Sequence, residues 1–382
     1  MAPAGRGRGG APGRRHAGVR RVRTHAAGLT GSTTSFDVAV VGGGPAGTSA
    51  AIALARAGAR VILLERSGYA GDRVGETFPP EVRFPLERLG VWDRFVAGGH
   101  VPSPGILAAW GGPEPRANDF ILNPHGAGWT VDRRRFDAML ADAALDAGAT
   151  VWRDTRILGR SDGCLVTGGG PAVAAAVVVD ATGRASTLRR DLGGRRVAHD
   201  RLVALVGVVR PGAGAGDDQR ALIEATEHGW WYSARLPDGG LVLAFHTDAG
   251  PGLARSWDRF LAAAPHTTAR AGGARLARLL RVAAASVRRE PAAAPGWLAV
   301  GDAAAAHDPI CGLGVQWALE SGLAAAGAIV AGAPSALADA AARRRFDAYL
   351  AQRAAYYRAE PRWPRAPFWL ARHADAGPAL PA

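Results

Sequence analysis

The sequence predicts an α/β fold in which the chain leaves a parallel sheet, builds an antiparallel one and returns. Three features predict it. FDVAVV (36–41), a Gly-rich turn, an Ala-rich stretch from Pro45 to Ala57 and RVILLE (60–65) make one βαβ unit, whose right-handed crossover requires parallel strands. HGWWYSARLP and GLVLAFHTD, joined by Pro237-Asp238-Gly239-Gly240, read as an antiparallel hairpin. WLAVGD (297–302) is a late buried strand that runs into a Gly-punctuated turn and an Ala-rich helix from about Leu313 to Val330, which brings the chain back to its first sheet.

At 382 residues the chain exceeds one ordinary domain of roughly 100–200 residues, so two lobes or one enlarged α/β domain are expected. The boundaries read as a disordered basic arm over 1–34 and a discontinuous nucleotide domain over 35–100, 130–199 and 290–335. An antiparallel substrate domain covers 101–129 and 200–289, and a helical, aromatic tail over 336–382 packs down as a lid or brace. Within the first 31 residues stand seven arginines and no acid, which accounts for seven of the thirteen excess positive charges. The arm has no apolar periodicity and no apolar stretch of a secretory signal, so it reads as a solvated tail and no nucleic-acid partner is expected. No run of about 18 apolar residues occurs, so no membrane span is expected. Cys164 and Cys311 make neither a disulfide framework nor a metal knuckle; no metal and a cytoplasmic location are expected. Lys and Arg together number 46 and every one is arginine, which excludes Schiff-base and P-loop chemistry.

Gly42-Gly43-Gly44-Pro45-Ala46-Gly47 satisfies G-x-G-x-x-G between a predicted strand and a predicted helix. Gly42 permits the tight turn, Gly44 the approach of a pyrophosphate and Gly47 close helix packing. Glu65, at the end of the next strand, suits ribose hydroxyls. A plain Gly-rich turn gives no account of that acid. Gly168-Gly169-Gly170-Pro171-Ala172 mimics the motif but lies between two strand-like runs, and reads as a hairpin loop. A second anchor far along the chain, Gly301-Asp302, points to FAD rather than NAD, because an acid there can bond ribityl hydroxyls. In Asp308-Pro309-Ile310-Cys311-Gly312-Leu313-Gly314, the glycines let backbone amides and a helix N-terminus approach the flavin pyrimidine edge.

GGGPAG, Glu65, Arg133 in VDRRRFD, DATGR (180–184) and GDAAAAHDPICGLGV (301–315) resemble the glutathione-reductase-type Rossmann FAD domain. That domain is shared by class A flavoprotein monooxygenases, geranylgeranyl reductases and tryptophan halogenases, and the likeness runs from Phe36 to about residue 373. Within that group GETFPP (75–80), GWWYSARLPDG (229–239), FHTD (245–248) and YYRAEPRWPRAPFW (356–369) are most similar to flavoprotein maturases of quinone-cofactor amine oxidases. The resemblance implies FAD held by Gly42, Gly44, Gly47, Glu65, Arg66, Gly75, Arg133, Asp302, Pro309, Gly312 and Gly314. It implies catalytic work by His307, Pro309 and Glu76, and an aromatic substrate stacked on Trp230, Trp231, Tyr232 and His246. Plain strand core, a backbone-bonded loop histidine and a structural helix cap are the bland alternatives for these residues.

The expected reaction is hydroxylation of an indole-like group through a flavin C4a-hydroperoxide, with O2 as co-substrate. Electrons would come from NAD(P)H or from reduced flavin supplied by a partner reductase, and the substrate would be a small molecule or an aromatic group on a peptide or carrier. Halogenation is disfavoured, since the halogenases need a lysine to steer hypohalous acid and this chain has none. Their W-x-W-x-I-P signature and the family's Ser-Gly-Gln run are also not reproduced. An olefin reductase with a wide apolar tunnel, or a non-catalytic dinucleotide-binding scaffold using its basic arm, are the remaining alternatives.

Overall fold

The computed structural model describes residues 33–212, 216–333 and 335–374. Residues 1–32 of the expected arm and 375–382 of the expected tail lie outside them. Thr33 and Thr34, expected in the arm, instead begin the first strand, where they pair with Ala172 and Val173. The long partner strand Ala172–Asp180 extends the ladder beyond the apolar run that marks it in the sequence.

Ten helices are described: α1 (Pro45–Arg56), α2 (Arg83–Arg88), α3 (Trp92–Val96), α4 (Arg133–Asp146), α5 (Arg189–Leu192), α6 (Trp257–Ala262), α7 (Pro265–Ala271), α8 (Gly314–Val330), α9 (Ser335–Arg358) and α10 (Pro367–Ala374). The strand Thr33–Val41 sits inside a parallel sheet, between Ala172–Asp180 and Val61–Leu64, with Trp297–Ala299 and Thr150–Trp152 outside them. Buried on both faces, these strands read as continuous apolar runs. α1 leaves the carboxyl end of Thr33–Val41, which has Val61–Leu64 on one side and Ala172–Asp180 on the other, and a strand-order reversal of this kind is where a ligand crevice is expected. α1 packs on α8, and Ser49 Oγ donates to Leu319 O at 2.6 Å across that contact. Cys164–Thr167 and Ala172–Asp180 are antiparallel, so the second Gly-rich run is a hairpin loop.

A seven-stranded sheet is ordered Leu280–Ala283, Leu202–Val209, Leu241–Asp248, Gly229–Arg235, Ala221–Thr226, Gly105–Ala109 and Arg116–Asp119. Not all of 101–129 joins it. Val101–Ser103 and Gly128–Thr130 pair instead with Thr77–Phe78 in a small sheet of their own. Trp129 draws them there, since its ring packs on Trp92 and Phe95 of the first core at 5.9 and 5.1 Å. Strand alternation divides the large sheet into two aromatic faces. One carries Trp230 and meets Tyr357, Phe368 and Trp369 of α9 and α10. The other carries Trp231 and Phe245 and meets Trp257 and Phe260 of α6. No helix among the described residues is long and apolar enough to cross a membrane.

Candidate active site

The Gly-rich turn is built by contacts that no side chain could share. Gly42 has φ +109°, and a Cβ there would lie 2.2 Å from Ala181 O; at Gly47 it would lie 1.9 Å from Gly42 O. Space is open at Gly44, with no atom within 4 Å of its would-be Cβ. α1 begins with Pro45, carries no side-chain cap and has no acid in its first turn, so its free amides and positive end face that space. Glu65, 6% exposed, borders the same turn: Gly43 N donates to Oε2 at 2.7 Å, and Ser67 N and Oγ donate to Oε1 at 3.1 and 2.5 Å. Arg66 points outward into solvent.

On the other side of α1 lies the turn Gly301–Ala303, which packs against that helix. Asp302 is about one-third exposed and meets Arg184 Nε at 3.3 Å. Arg184 also donates to Ala285 O at 2.7 Å and to His307 O. The chain then turns through Asp308 to Gly312, with Pro309 exposed, and enters α8, whose N-terminus again has no side-chain cap and no acid. Gly312 and Gly314 both face open space. Two uncapped helix ends, two strand-end carboxylates and room above the glycines are the donor and acceptor set that an extended dinucleotide requires, and FAD fits it.

A buried ion network joins the cradle to α4. Arg73 Nη1 meets Asp137 at 2.8 Å and Arg73 Nη2 meets Glu65 at 3.5 Å, while Arg133 reaches Asp137 at 3.2 Å. Arg133 also donates to the carbonyls of Val74 and Gly75, so it clamps the loop that leads to Glu76. Sequence reading missed Arg73 and Asp137. The i,i+4 spacing of Arg133 and Asp137 signals that pair, whereas Arg73 sits in a glycine-rich loop without periodicity.

Beyond the clamp, Glu76 is 8% exposed, and its Oε2 accepts from Gly75 N at 3.0 Å. Burial pushes its pKa up, opposed by Arg133 and the local amides. The next residue, Thr77, shares a short hydrogen bond with the Tyr232 hydroxyl. The structure thus brings Glu76, Thr77 and Tyr232 together from two different sheets. Trp230 stacks on His246, with ring centroids 3.7 Å apart and an interplanar angle of 7°.

Two placements correct the sequence reading. Trp231 faces the opposite side of the sheet from Trp230 and Tyr232, because neighbouring strand residues alternate, and it packs on Phe245 and Trp257. It shares no pocket with the others. His307 lies against Trp317, Tyr349 and Phe346, with centroids at 4.4, 4.5 and 5.8 Å, and lines a cavity of about 600 Å³ between α2, α8 and α9 together with Gly301, Asp302 and Gly314. Burial lowers the pKa of His307 to about 3, with Arg184 and Arg345 adding to the effect; burial likewise lowers His246 to about 3. Both are neutral near pH 7.

Residues 35–360 match the family described as the FAD binding domain. The chain belongs to that family. LodB of Marinomonas mediterranea, named as an FAD-dependent oxidoreductase, is 30% identical over 365 residues, which cover 89% of this chain and 97% of LodB. The 1H-pyrrole-2-carbonyl (peptidyl-carrier protein) brominase of Pseudoalteromonas luteoviolacea is 27% identical over 317 residues, 77% of each chain. The solved structure of the peptidyl tryptophan dihydroxylase QhpG superposes with a TM-score of 0.75 at 24% identity, over 91% of this chain and 81% of QhpG, and shows the shared fold. This flavoprotein is an FAD-dependent oxidoreductase, with the FAD-binding fold of the flavin halogenases and monooxygenases.

Proposed function

We propose that the protein is a monooxygenase that hydroxylates an indole-like ring presented on a peptide or carrier chain. The observation that carries this reading is the buried Glu76 carboxyl on the loop that Arg133 clamps, with the neighbouring Thr77 bonded to the Tyr232 hydroxyl of the antiparallel sheet. Reduced FAD supplies dioxygen activation, in which one oxygen atom enters the ring, the other leaves as water, and NAD(P)H or a reductase-borne flavin provides the two electrons.

The chain's own residues bind and orient. α1 amides at Gly44–Gly47 take the pyrophosphate, Glu65 the ribose hydroxyls and Asp302 the ribityl hydroxyls. Gly75, Pro309, Gly312 and Gly314 border the ring system, while Arg133 holds the Gly75 loop in place. The Trp230–His246 stack, closed over by α9 and α10, excludes water, and Tyr232, bonded to Thr77 beside Glu76, is the residue of that face left to align the substrate ring. Proton movement falls to Glu76, which burial makes a stronger base than an ordinary carboxylate, while burial makes His246 and His307 weak bases. Glu76 Oε2 is the atom that takes or returns the proton as the ring is oxygenated. A carrier-bound substrate is supported by the brominase, whose name places its pyrrole on a peptidyl-carrier protein. Hydroxylation rather than halogenation is supported by the absence of any lysine.

The test is to load the protein with FAD and find by anaerobic stopped-flow whether NADH, NADPH or free reduced flavin bleaches it. Oxygen and bromide are then admitted with a tryptophan-containing peptide and a carrier-bound pyrrole. Products heavier by oxygen are expected; a brominated product, or bleaching without oxygen transfer to any ring, overturns the reading.

A further inference from the structure

The tail helices reach the cofactor turn through a buried polar chain. Tyr357 on α9 is fully buried, and its hydroxyl donates to Asp308 Oδ2 at 2.8 Å while Trp230 Nε1 donates to it at 3.1 Å. A phenol has one proton, so with that proton committed to the carboxylate its lone pair is left for the indole N–H. Asp308 directly precedes Pro309 in the turn that enters α8. Its Oδ1 accepts from Ile310 N at 3.0 Å, Arg353 Nε donates to Oδ2 at 3.1 Å, and its own N–H donates to Tyr349 Oη at 2.6 Å. Arg353 also meets Asp200 at 3.1 Å, at the start of the strand Leu202–Val209. A carboxylate with no solvent contact persists only when its lone pairs are answered, and here α9 answers most of them. The turn is therefore held from the tail side, and one of its holders is shared with the aromatic face of the antiparallel sheet.

We propose that Tyr357 is a positioning residue that couples Trp230 to the Pro309–Gly314 turn, and so sets how closely the α8 N-terminus approaches the flavin pyrimidine edge. The coupling rests on the placement of the flavin beside Gly312 and Gly314 proposed above. Its readouts are FAD affinity and the flavin spectrum, so it stands or falls independently of which product the enzyme makes. A change in the position of Trp230 is felt at the flavin through a single hydroxyl, and the reverse holds by linkage.

The experiment compares FAD-loaded wild type with Tyr357→Phe, Trp230→Phe, the double variant and Trp369→Phe. Trp369→Phe removes another buried indole N–H of the same cluster, which donates to Thr226 O at 2.9 Å; the ring packs on Tyr357 with centroids 6.0 Å apart, and Phe keeps an aromatic ring there and leaves the Tyr357–Asp308 hydrogen bond in place. Tyr357→Phe is expected to raise the FAD dissociation constant about tenfold, the scale of one lost hydrogen bond to a charged group, and to shift the flavin absorption bands and midpoint potential. Trp230→Phe should move the same readouts in the same direction by less, and the double variant should go no further than Tyr357→Phe. Trp369→Phe should lower the unfolding midpoint and leave FAD affinity and spectrum as in wild type. Wild-type affinity and spectrum in Tyr357→Phe, additive effects in the double variant, or the same changes in Trp369→Phe would each overturn the proposal. If Tyr357→Phe does not fold, Trp230→Phe carries the test alone, and an unshifted spectrum there overturns it. A wild type that takes up no FAD would instead sink the cofactor placement itself.

Discussion

Trp230 lies over His246 and donates to Tyr357, whereas Trp231, one residue further on, faces α6 with its indole N–H unpartnered among Phe245, Trp257 and Phe260. Both side chains are almost wholly buried. The first has its polar edge wired into a network that ends at the α8 turn, and the second supplies volume. Burial and residue type do not separate them; the pairing of the N–H does. In a sheet buried on both faces, a ring's part in the chemistry depends on which layer covers its side of the strand, here the tail helices for Trp230 and α6 for Trp231.

The largest expected effect sharpens that contrast. Trp231→Ala opens a cavity in the dry face and should cost about 3–5 kcal/mol in urea unfolding, while the folded holoprotein keeps the wild-type flavin spectrum. A changed spectrum would mean that the two faces are not separate. Glu76→Gln comes next, on the side of Trp230 and Tyr232. It should lower turnover roughly 10²-fold and flatten the rate–pH profile, with little loss of stability because an isosteric amide replaces a buried carboxyl. Unchanged turnover would remove Glu76 from the chemistry.

A pH series weighs the wired face from another direction. His246 has its folded pKa lowered to about 3 against an ordinary 6.5, so the unfolded chain takes up a proton first as pH falls. The stability it contributes is complete above about pH 6.5 and is lost progressively towards pH 3. His246→Phe keeps a ring over Trp230 and removes that titration, so between pH 7.5 and pH 5 it should lose on the order of 1–2 kcal/mol less than wild type. Equal losses would show that His246 does not titrate with unfolding. The smallest effect is expected for Trp231→Phe: the smaller ring leaves a void whose cost is offset in part by removing the unpartnered N–H, and the net loss should be about 1 kcal/mol. A large loss would reveal a partner for that N–H.

The elements that could be read in advance are those written in short-range pattern. The turn at Gly42–Gly47, the acid closing Val61–Leu64 and the Pro237–Gly240 hairpin each announce themselves within about ten residues, as does the return of the chain at Trp297–Asp302. The positions of Glu65 and Asp302 beside the two glycine-rich turns were legible because each lies in a short motif at a strand end. Arg73 carries no such mark, and Arg184 and Tyr357 stand inside the DATGR and YYRAEPRWPRAPFW runs without anything there to name their partners. Arg184 meets Asp302 across more than a hundred residues, and Tyr357 meets Trp230 across 127. Alternation along Gly229–Arg235 was readable, but which face meets the tail was not, so Trp231 was grouped with Trp230.

By itself the sequence determined the parallel FAD-binding scaffold, because glycine geometry and apolar periodicity act through neighbours along the chain. It determined equally that no lysine of this chain takes part. Only the tertiary structure decided which indole faces the tail helices, that His307 turns towards α9, and that a tail tyrosine holds the cofactor turn. Those outcomes depend on how separately folded layers close on one another, where satisfying a buried carboxylate such as Asp308 selects partners from distant parts of the chain.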